Sequence, residues 1–218
     1  GKAQQWERAL ELLQEALARK VETDAITHSV AILSCARGQQ WERALLALQR
    51  MLGHGLAAPA AFNAAISAME KGRQWQRALL LLEDMGQEAT LPDVIACSGA
   101  MSACEKSWQW ERALSSLRCM RVQHVAPDAF TYSAIVSASE KAGRWARALE
   151  ALQEMPHCGL RPPLIGYSAA LLACSGGRQW SQALELVVGM VGGALEPDAL
   201  SYGALLAEWE QQGLQSRE

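Results

Sequence analysis

The sequence predicts an all-α protein, a right-handed α-solenoid of helix-turn-helix repeats, on three observations. A Trp followed two residues later by Arg or Gln and then Ala-Leu recurs at Trp6, Trp41, Trp75, Trp110, Trp145 and Trp180, at steps of 35, 34, 35, 35 and 35. Pro-Asp at 92–93, 127–128 and 197–198, with Pro162-Pro163 between, keeps the same step, as do Met85, Met120, Met155 and Met190. Within each unit the apolar residues fall at helical spacing. Self-similarity at such a period marks units too small to bury their own apolar face, each covered by its neighbours. Function is therefore to be sought across repeats rather than in one of them.

Taken in order, residues 1–24 form the trailing helix of a truncated repeat, with Trp6, Ala9, Leu10 and Leu13 on one stripe and Asp24 closing the unit. Five full repeats follow at 25–58, 59–93, 94–128, 129–163 and 164–198. Residues 199–218 begin another first helix and dissolve into a polar end, so a piece of a longer array is expected. Within a repeat, Trp145, Ala148, Leu149, Leu152 and Met155 sit at i, i+3, i+4, i+7 and i+10, the stripe of an amphipathic second helix. Gly143 is the expected stop of the first helix.

The first helix, from about Phe130 to Lys141, has two faces. At 100° per residue Tyr132, Ile135, Val136 and Ser139 share the core side, where other repeats carry Cys35, Cys104 and Cys174. Opposite lie Phe130, Ser133, Ser137 and Lys141. That opposite face repeats along the chain. Its apolar place holds Ile26, Ile95, Phe130, Ile165 and Leu200, with Ala60 the exception. Its small polar place holds Ser29, Asn63, Ser98, Ser133 and Ser168, and its far end Arg37, Lys71, Lys106 and Lys141. Apolar platforms beside hydrogen-bonding groups and a row of cations suit the unstacked bases and phosphates of a single strand.

Composition narrows the remaining classes. The formal charge of −3 argues against strong, indiscriminate phosphate binding. No apolar run reaches 18 residues, so no membrane span is expected. The six cysteines follow the repeat and include no Cys-x-x-Cys, and the four histidines lack ligand spacing. They read as core and surface residues, with no metal or other cofactor expected. No P-loop occurs, nor a His-x-Glu with a later Pro-Cys-x-x-Cys, so no enzyme is expected.

The 35-residue step, the starts Tyr132-Ser133 and Tyr167-Ser168, the Ala-Leu and late Met of the second helix and the closing Pro-Asp together resemble the pentatricopeptide repeat family, along essentially the whole chain. Trp at the head of the second helix departs from the Leu more usual there. The tetratricopeptide repeat, the alternative, has a 34-residue period and carries its Trp in the first helix. The resemblance implies a modular binder of single-stranded RNA, one nucleotide per repeat, in the mitochondrial matrix or plastid stroma, serving RNA processing, stability or translation. It also implies that Ile26, Ile95, Phe130 and Ile165 clamp bases and that Arg37, Lys71, Lys106 and Lys141 contact phosphates. Base choice would fall to the small polar residue and the last residue of the repeat. Asn63 with Asp93 then resembles a uracil reader, and Ser98 with Asp128 and Ser168 with Asp198 resemble guanine readers. Ser29 with Ala58 and Ser133 with Pro163 depart from the usual pairs, so those repeats are expected to accept any base. The implied core is U-G-N-G.

Other readings of the same residues stand beside these. Asp24, Asp93, Asp128 and Asp198 each precede a first helix, where a carboxylate caps backbone N–H groups with or without RNA. The Lys row directly follows Glu70, Glu105 and Glu140, so each cation has a neighbouring anion. The Trp row reads as packing, and Arg8, Arg43, Arg77, Arg112 and Arg147 as solvated surface. Four cations on four phosphates would set a salt slope of roughly −3. The competing function is a scaffold subunit of a large organellar assembly, such as a ribosome or a membrane complex, held by protein contacts.

Overall fold

Helix lengths follow from the repeat. About three and a half turns separate the Asp or Pro that opens a first helix from the small residues that end it. In a computed structural model, which describes residues 5–19, 24–87, 90–193, 195–196, 202–203 and 206, eleven helices and no strand lie among the described residues. They are α1 (Gln5–Ala18), α2 (Ala25–Arg37), α3 (Trp41–Gly53), α4 (Pro59–Lys71), α5 (Trp75–Gln87), α6 (Val94–Lys106), α7 (Trp110–Val122), α8 (Ala129–Lys141), α9 (Trp145–His157), α10 (Leu164–Gly176) and α11 (Trp180–Gly192). Every helix from α2 to α11 has 13 residues. None among the described residues is long and apolar enough to cross a membrane.

The first helices begin in two ways. Asp24, Asp93 and Asp128 accept the backbone N–H of Thr27, Ala96 and Thr131, which answers one of the unpaired donors of a helix start. At α4 the entering residue is Ala58 and Pro59 stands at the first position, where the missing N–H costs nothing. At α10 the entering residue is Pro163.

The turn between the helices of a repeat is closed by a residue in the left-handed region: Gln39 (φ 58°), Arg73 (54°), Trp108 (64°), Gly143 (65°) and Arg178 (55°). Gly143 is the stop the sequence predicts, but four of these five residues carry a Cβ. The following N–H reaches back across the helix end, from Gln40 to Cys35 O, Gln74 to Met69 O, Arg144 to Ser139 O and Gln179 to Cys174 O, at 2.8–3.0 Å. These bonds complete a Schellman closure and offset the left-handed conformation of a non-glycine residue.

The chain divides into two units, Gly1–Ser107 with Met120–Val125, and Trp108–Cys119 with Ala126–Glu218. In the first, α2 packs on α1, α3 and α4, and α4 on α3, α5 and α6. Its core holds Ile32, Leu48, Met51, Phe62, Ile66, Met69 and Met85. In the second, α8 packs on α9 and α10, and α10 on α9 and α11. Tyr132, Ile135, Leu152, Met155, Leu171 and Met190 are buried there. Each unit is thus an all-α stack of helix pairs, a repeat solenoid. The late methionines Met51, Met85, Met120, Met155 and Met190 are all enclosed, as their phase in the second helix requires. Cys35, Cys104 and Cys174 are buried thiols, and burial pushes that of Cys35 up.

Successive repeats lock through the Trp row. A Cβ added at Gly72 would lie 2.6 Å from Trp41 Cδ1, and one at Gly38 or Gly177 would overlap Trp6 or Trp145. The Arg43 and Arg77 guanidinium groups lie 4.3 Å from the Trp6 and Trp41 rings, and that of Arg144 lies 5.3 Å from the Trp110 ring. Arg43 and Arg77 are exposed, as the expectation of a solvated Arg row has it, and make a ring contact besides. Each covers the indole of the preceding repeat, a cation–π contact of about 0.5–2 kcal/mol according to exposure.

Candidate nucleic-acid interface

The apolar place on the first helices is solvent-facing. Ile26 is 71% exposed, Ile95 68%, Phe130 56% and Ile165 72%. Each stands one residue into its helix. Large apolar side chains held in water at one repeated position are a mark of an interaction surface.

One turn further on, the polar place is half-buried or buried. The Ser29 hydroxyl donates to Ala25 O at 2.7 Å and Ser98 to Val94 O at 2.6 Å. In the other unit Ser133 donates to Ala129 O at 2.7 Å and Ser168 to Leu164 O at 3.0 Å. With the proton committed to the helix backbone, such an oxygen has only acceptor capacity left for any further hydrogen bond. Asn63 differs. Its Nδ2 donates to Asp93 Oδ2 at 3.0 Å, while Asp93 Oδ1 accepts from Ala96 N at 2.8 Å. One carboxylate therefore caps α6 and orients Asn63 together, so capping and the expected reader pair fall on the same side chain. Asn63 Oδ1 is enclosed without a hydrogen-bond partner among the described residues.

Asp128 is held differently, its Oδ1 accepting both the backbone N–H and the hydroxyl of Thr131 at 2.7 Å. Asp24 receives Thr27 in the same way, and these bonds, the hydroxyl's first, hold its carboxyl below the usual carboxylate range. The Asp-x-x-Thr spacing at Asp24/Thr27 and Asp128/Thr131 was a readable signal for these threonines. Ala58 and Pro163 offer no side-chain hydrogen bond to their helices. Asp198, the expected partner of Ser168, lies outside the described residues, as does Leu200.

The cationic row stands at the C-terminal ends of the first helices, where the helix dipole favours it. Arg37 is exposed and Lys141 half-buried. Lys71 and Lys106, expected as phosphate contacts, are engaged by the repeat before them. Lys71 Nζ donates to Ala36 O at 3.2 Å, and Lys106 Nζ meets Glu70 Oε1 at 2.7 Å, where the Ser102 hydroxyl also donates at 2.9 Å. The anion nearest Lys106 is thus Glu70, 36 residues away, rather than its neighbour in sequence. Spacing put Lys106 at the end of its helix but said nothing of this cross-repeat pair. Gly176 occupies the same place at the end of α10.

Comparison with known proteins places this geometry. A pentatricopeptide repeat domain model matches residues 115–178 and a PPR repeat model residues 60–88. The crystal structure of the pentatricopeptide repeat protein PPR10 from maize superposes with a TM-score of 0.69 at 25% identity, over 93% of this chain and 29% of that one. The same protein in complex with an 18-nt psaJ RNA element gives 0.70 at 23% identity, over 96% and 29%. The PPR domain of Arabidopsis thaliana protein-only RNase P 1, in complex with tRNA, gives 0.71 at 12% identity, over 83% and 95%. The chain spans less than a third of the maize protein, 29% of its length. No curated protein sequence matches it significantly.

Proposed function

The chain is a pentatricopeptide repeat protein, and from that premise we propose that it binds single-stranded RNA on the outward faces of its first helices. The observation that carries this reading is the row of exposed apolar side chains, Ile26 and Ile95 in one unit, Phe130 and Ile165 in the other, each beside a small polar group. Nothing in folding requires four large apolar residues to stay in water at one position of the repeat. Bases packed on them would cover that surface, and an aromatic platform such as Phe130 contributes about 1–3 kcal/mol per stacked base. The solved relatives in complex with RNA and with tRNA support the same partner.

For base choice the reading is U-G-N-G, with Asn63 and Asp93 selecting uracil. The Asn63 amide, oriented by Asp93, has an unmatched acceptor and a second N–H. Swung toward a base, this pair matches the adjacent N3–H and O4 of uracil. An unmatched buried acceptor costs about 1–3 kcal/mol, which the base N–H would offset. Ser98 with Asp128, and Ser168 with Asp198, are assigned to guanine in the same proposal. A role in RNA processing, stability or translation within a mitochondrion or plastid belongs to it as well.

Selection of bound sequences from a randomised single-stranded RNA pool at low salt tests the reading. Enrichment of U-G-N-G, moving from uracil toward guanine in Asn63→Ser, is the expected result; an unchanged motif in that variant rejects the assignment. A scaffold role in an organellar assembly is the second reading. It is favoured by the engagement of Lys71 and Lys106 within the protein, which weakens the cationic row. No salt-sensitive RNA binding by the full-length protein would establish it over the first.

A further inference from the structure

The Trp108–Cys119, Ala126–Glu218 unit carries a cleft that RNA reading leaves unused. It lies between the second helices α9 and α11, over α10, with a volume of about 440 Å³. Leu149, Leu152 and Leu186 line its depth, Pro162 and Tyr167 its side, and Glu185 its edge. In the other unit the equivalent groove, between α1 and α3, measures about 200 Å³ and is lined by Leu10 and Leu13 with Arg43 and Arg50.

Counted from the Trp that opens each second helix, Leu149 and Leu152 correspond to Leu10 and Leu13, and Gly189 to Arg50. The other second helices have Glu15, Asp84, Cys119 and Glu154 at the place of Gly189. Only the Tyr167 hydroxyl, at 3.9 Å, would lie within 4 Å of a Cβ added at Gly189, so a side chain fits there but is missing. Glycine inside a helix weakens it relative to other residues. Here it opens the cleft. The charge is reversed as well: Arg43 and Arg50 flank the narrow groove, whereas Glu185 flanks the wide one and no Lys or Arg lines it.

We propose that the α9–α11 cleft receives an aromatic side chain of a protein partner, with a neighbouring Lys or Arg of that partner set against Glu185. The volume falls in the range of about 300–1,000 Å³ typical of ligand sites. Leucine and proline walls with a tyrosine beside them suit a ring, and buried aromatic anchors dominate such contacts. Glu185 is exposed and attracts a cation. A nucleic-acid strand would set phosphates against the same carboxylate with no Lys or Arg in the lining to receive them, which disfavours it.

The test is an NMR titration of the chain with three blocked dipeptides, Ac-Trp-Lys-NH2, Ac-Trp-Glu-NH2 and Ac-Ala-Lys-NH2, followed at the Leu149, Leu152 and Leu186 methyl and Tyr167 ring signals. Ac-Trp-Lys-NH2 shifts these signals at millimolar concentration, and Ac-Ala-Lys-NH2 does not. Glu185→Gln weakens the first about two- to fivefold, the scale of an exposed ion pair, to the level of Ac-Trp-Glu-NH2. Gly189→Leu fills the cleft and abolishes the shifts, while RNA selection by that variant is unchanged. Glu185→Gln lies on the surface, so it keeps the test decisive if Gly189→Leu fails to fold. No shift with Ac-Trp-Lys-NH2, equal affinity for Ac-Trp-Glu-NH2, or shifts that persist in a folded Gly189→Leu variant each overturn the proposal.

Discussion

Replacing Glu70 with Gln releases Lys106 and should steepen the salt dependence of RNA binding. Lys106 Nζ lies 2.7 Å from Glu70 Oε1, with side chains 39% and 21% exposed. An ion pair so open to solvent contributes at most about 1 kcal/mol to stability. Gln keeps an oxygen for the Ser102 hydroxyl, so only the charge is lost. While Glu70 holds it, Lys106 brings little net charge to a phosphate. Of the four cations Arg37, Lys71, Lys106 and Lys141, three then count, and the slope of log K against log salt falls from roughly −3 to roughly −2. Glu70→Gln restores about 0.7 of slope, or a two- to threefold difference in affinity loss between about 50 and 200 mM salt. Fluorescence anisotropy with a labelled U-G-N-G oligonucleotide over a salt series measures it, with Glu70→Gln/Lys106→Met as the control that returns to the wild-type slope. A slope unchanged in Glu70→Gln, with binding intact, would refute the placement of Lys106 beside a phosphate.

Further perturbations probe the rest of the molecule. Phe130→Ala removes an exposed platform, so urea unfolding should move by no more than about 0.5 kcal/mol while RNA affinity drops by about 1–3 kcal/mol. Gly72→Ala drives a Cβ to 2.6 Å from Trp41 and should cost about 1–3 kcal/mol in the same unfolding assay. Arg73→Gly relieves a left-handed residue and should stabilise by up to about 1 kcal/mol, whereas Gly143→Ala should lose about as much. His28 is buried, and burial first, then His54 with its ring centroid 6.4 Å away, lowers its pKa below 6.5. Below that value the unfolded chain binds the proton more readily, so stability is full above pH 6.5 and falls as pH drops, at up to about 1.4 kcal/mol per pH unit. His28→Phe, the residue type found at Phe62 in the next repeat, should remove that decline; Asp24 begins to act only below its ordinary value of 3.8.

The periodicity that was plain in the Trp, Met and Pro-Asp positions carried the helix pairs, because each marks a fixed phase of a 3.6-residue helix and so a fixed direction toward or away from the core. Burial of Met51 and Met155, exposure of Ile95 and Phe130, and the capping by Asp93 and Asp128 follow from that phase alone. The family resemblance added roles for Asn63 and the serines that spacing cannot supply. What tertiary structure decided lies between repeats. Lys106 with Glu70, Arg43 over Trp6, and Asn63 with Asp93 join residues 30 to 37 positions apart. No helical period links them, since their distance depends on how neighbouring helices pack. The same holds for the left-handed turns at Gln39, Arg73 and Arg178, where bonds back to buried helix ends hold a conformation these side chains disfavour. At Gly189 the sequence shows a missing side chain; only the packing of α9, α10 and α11 around it makes a cleft.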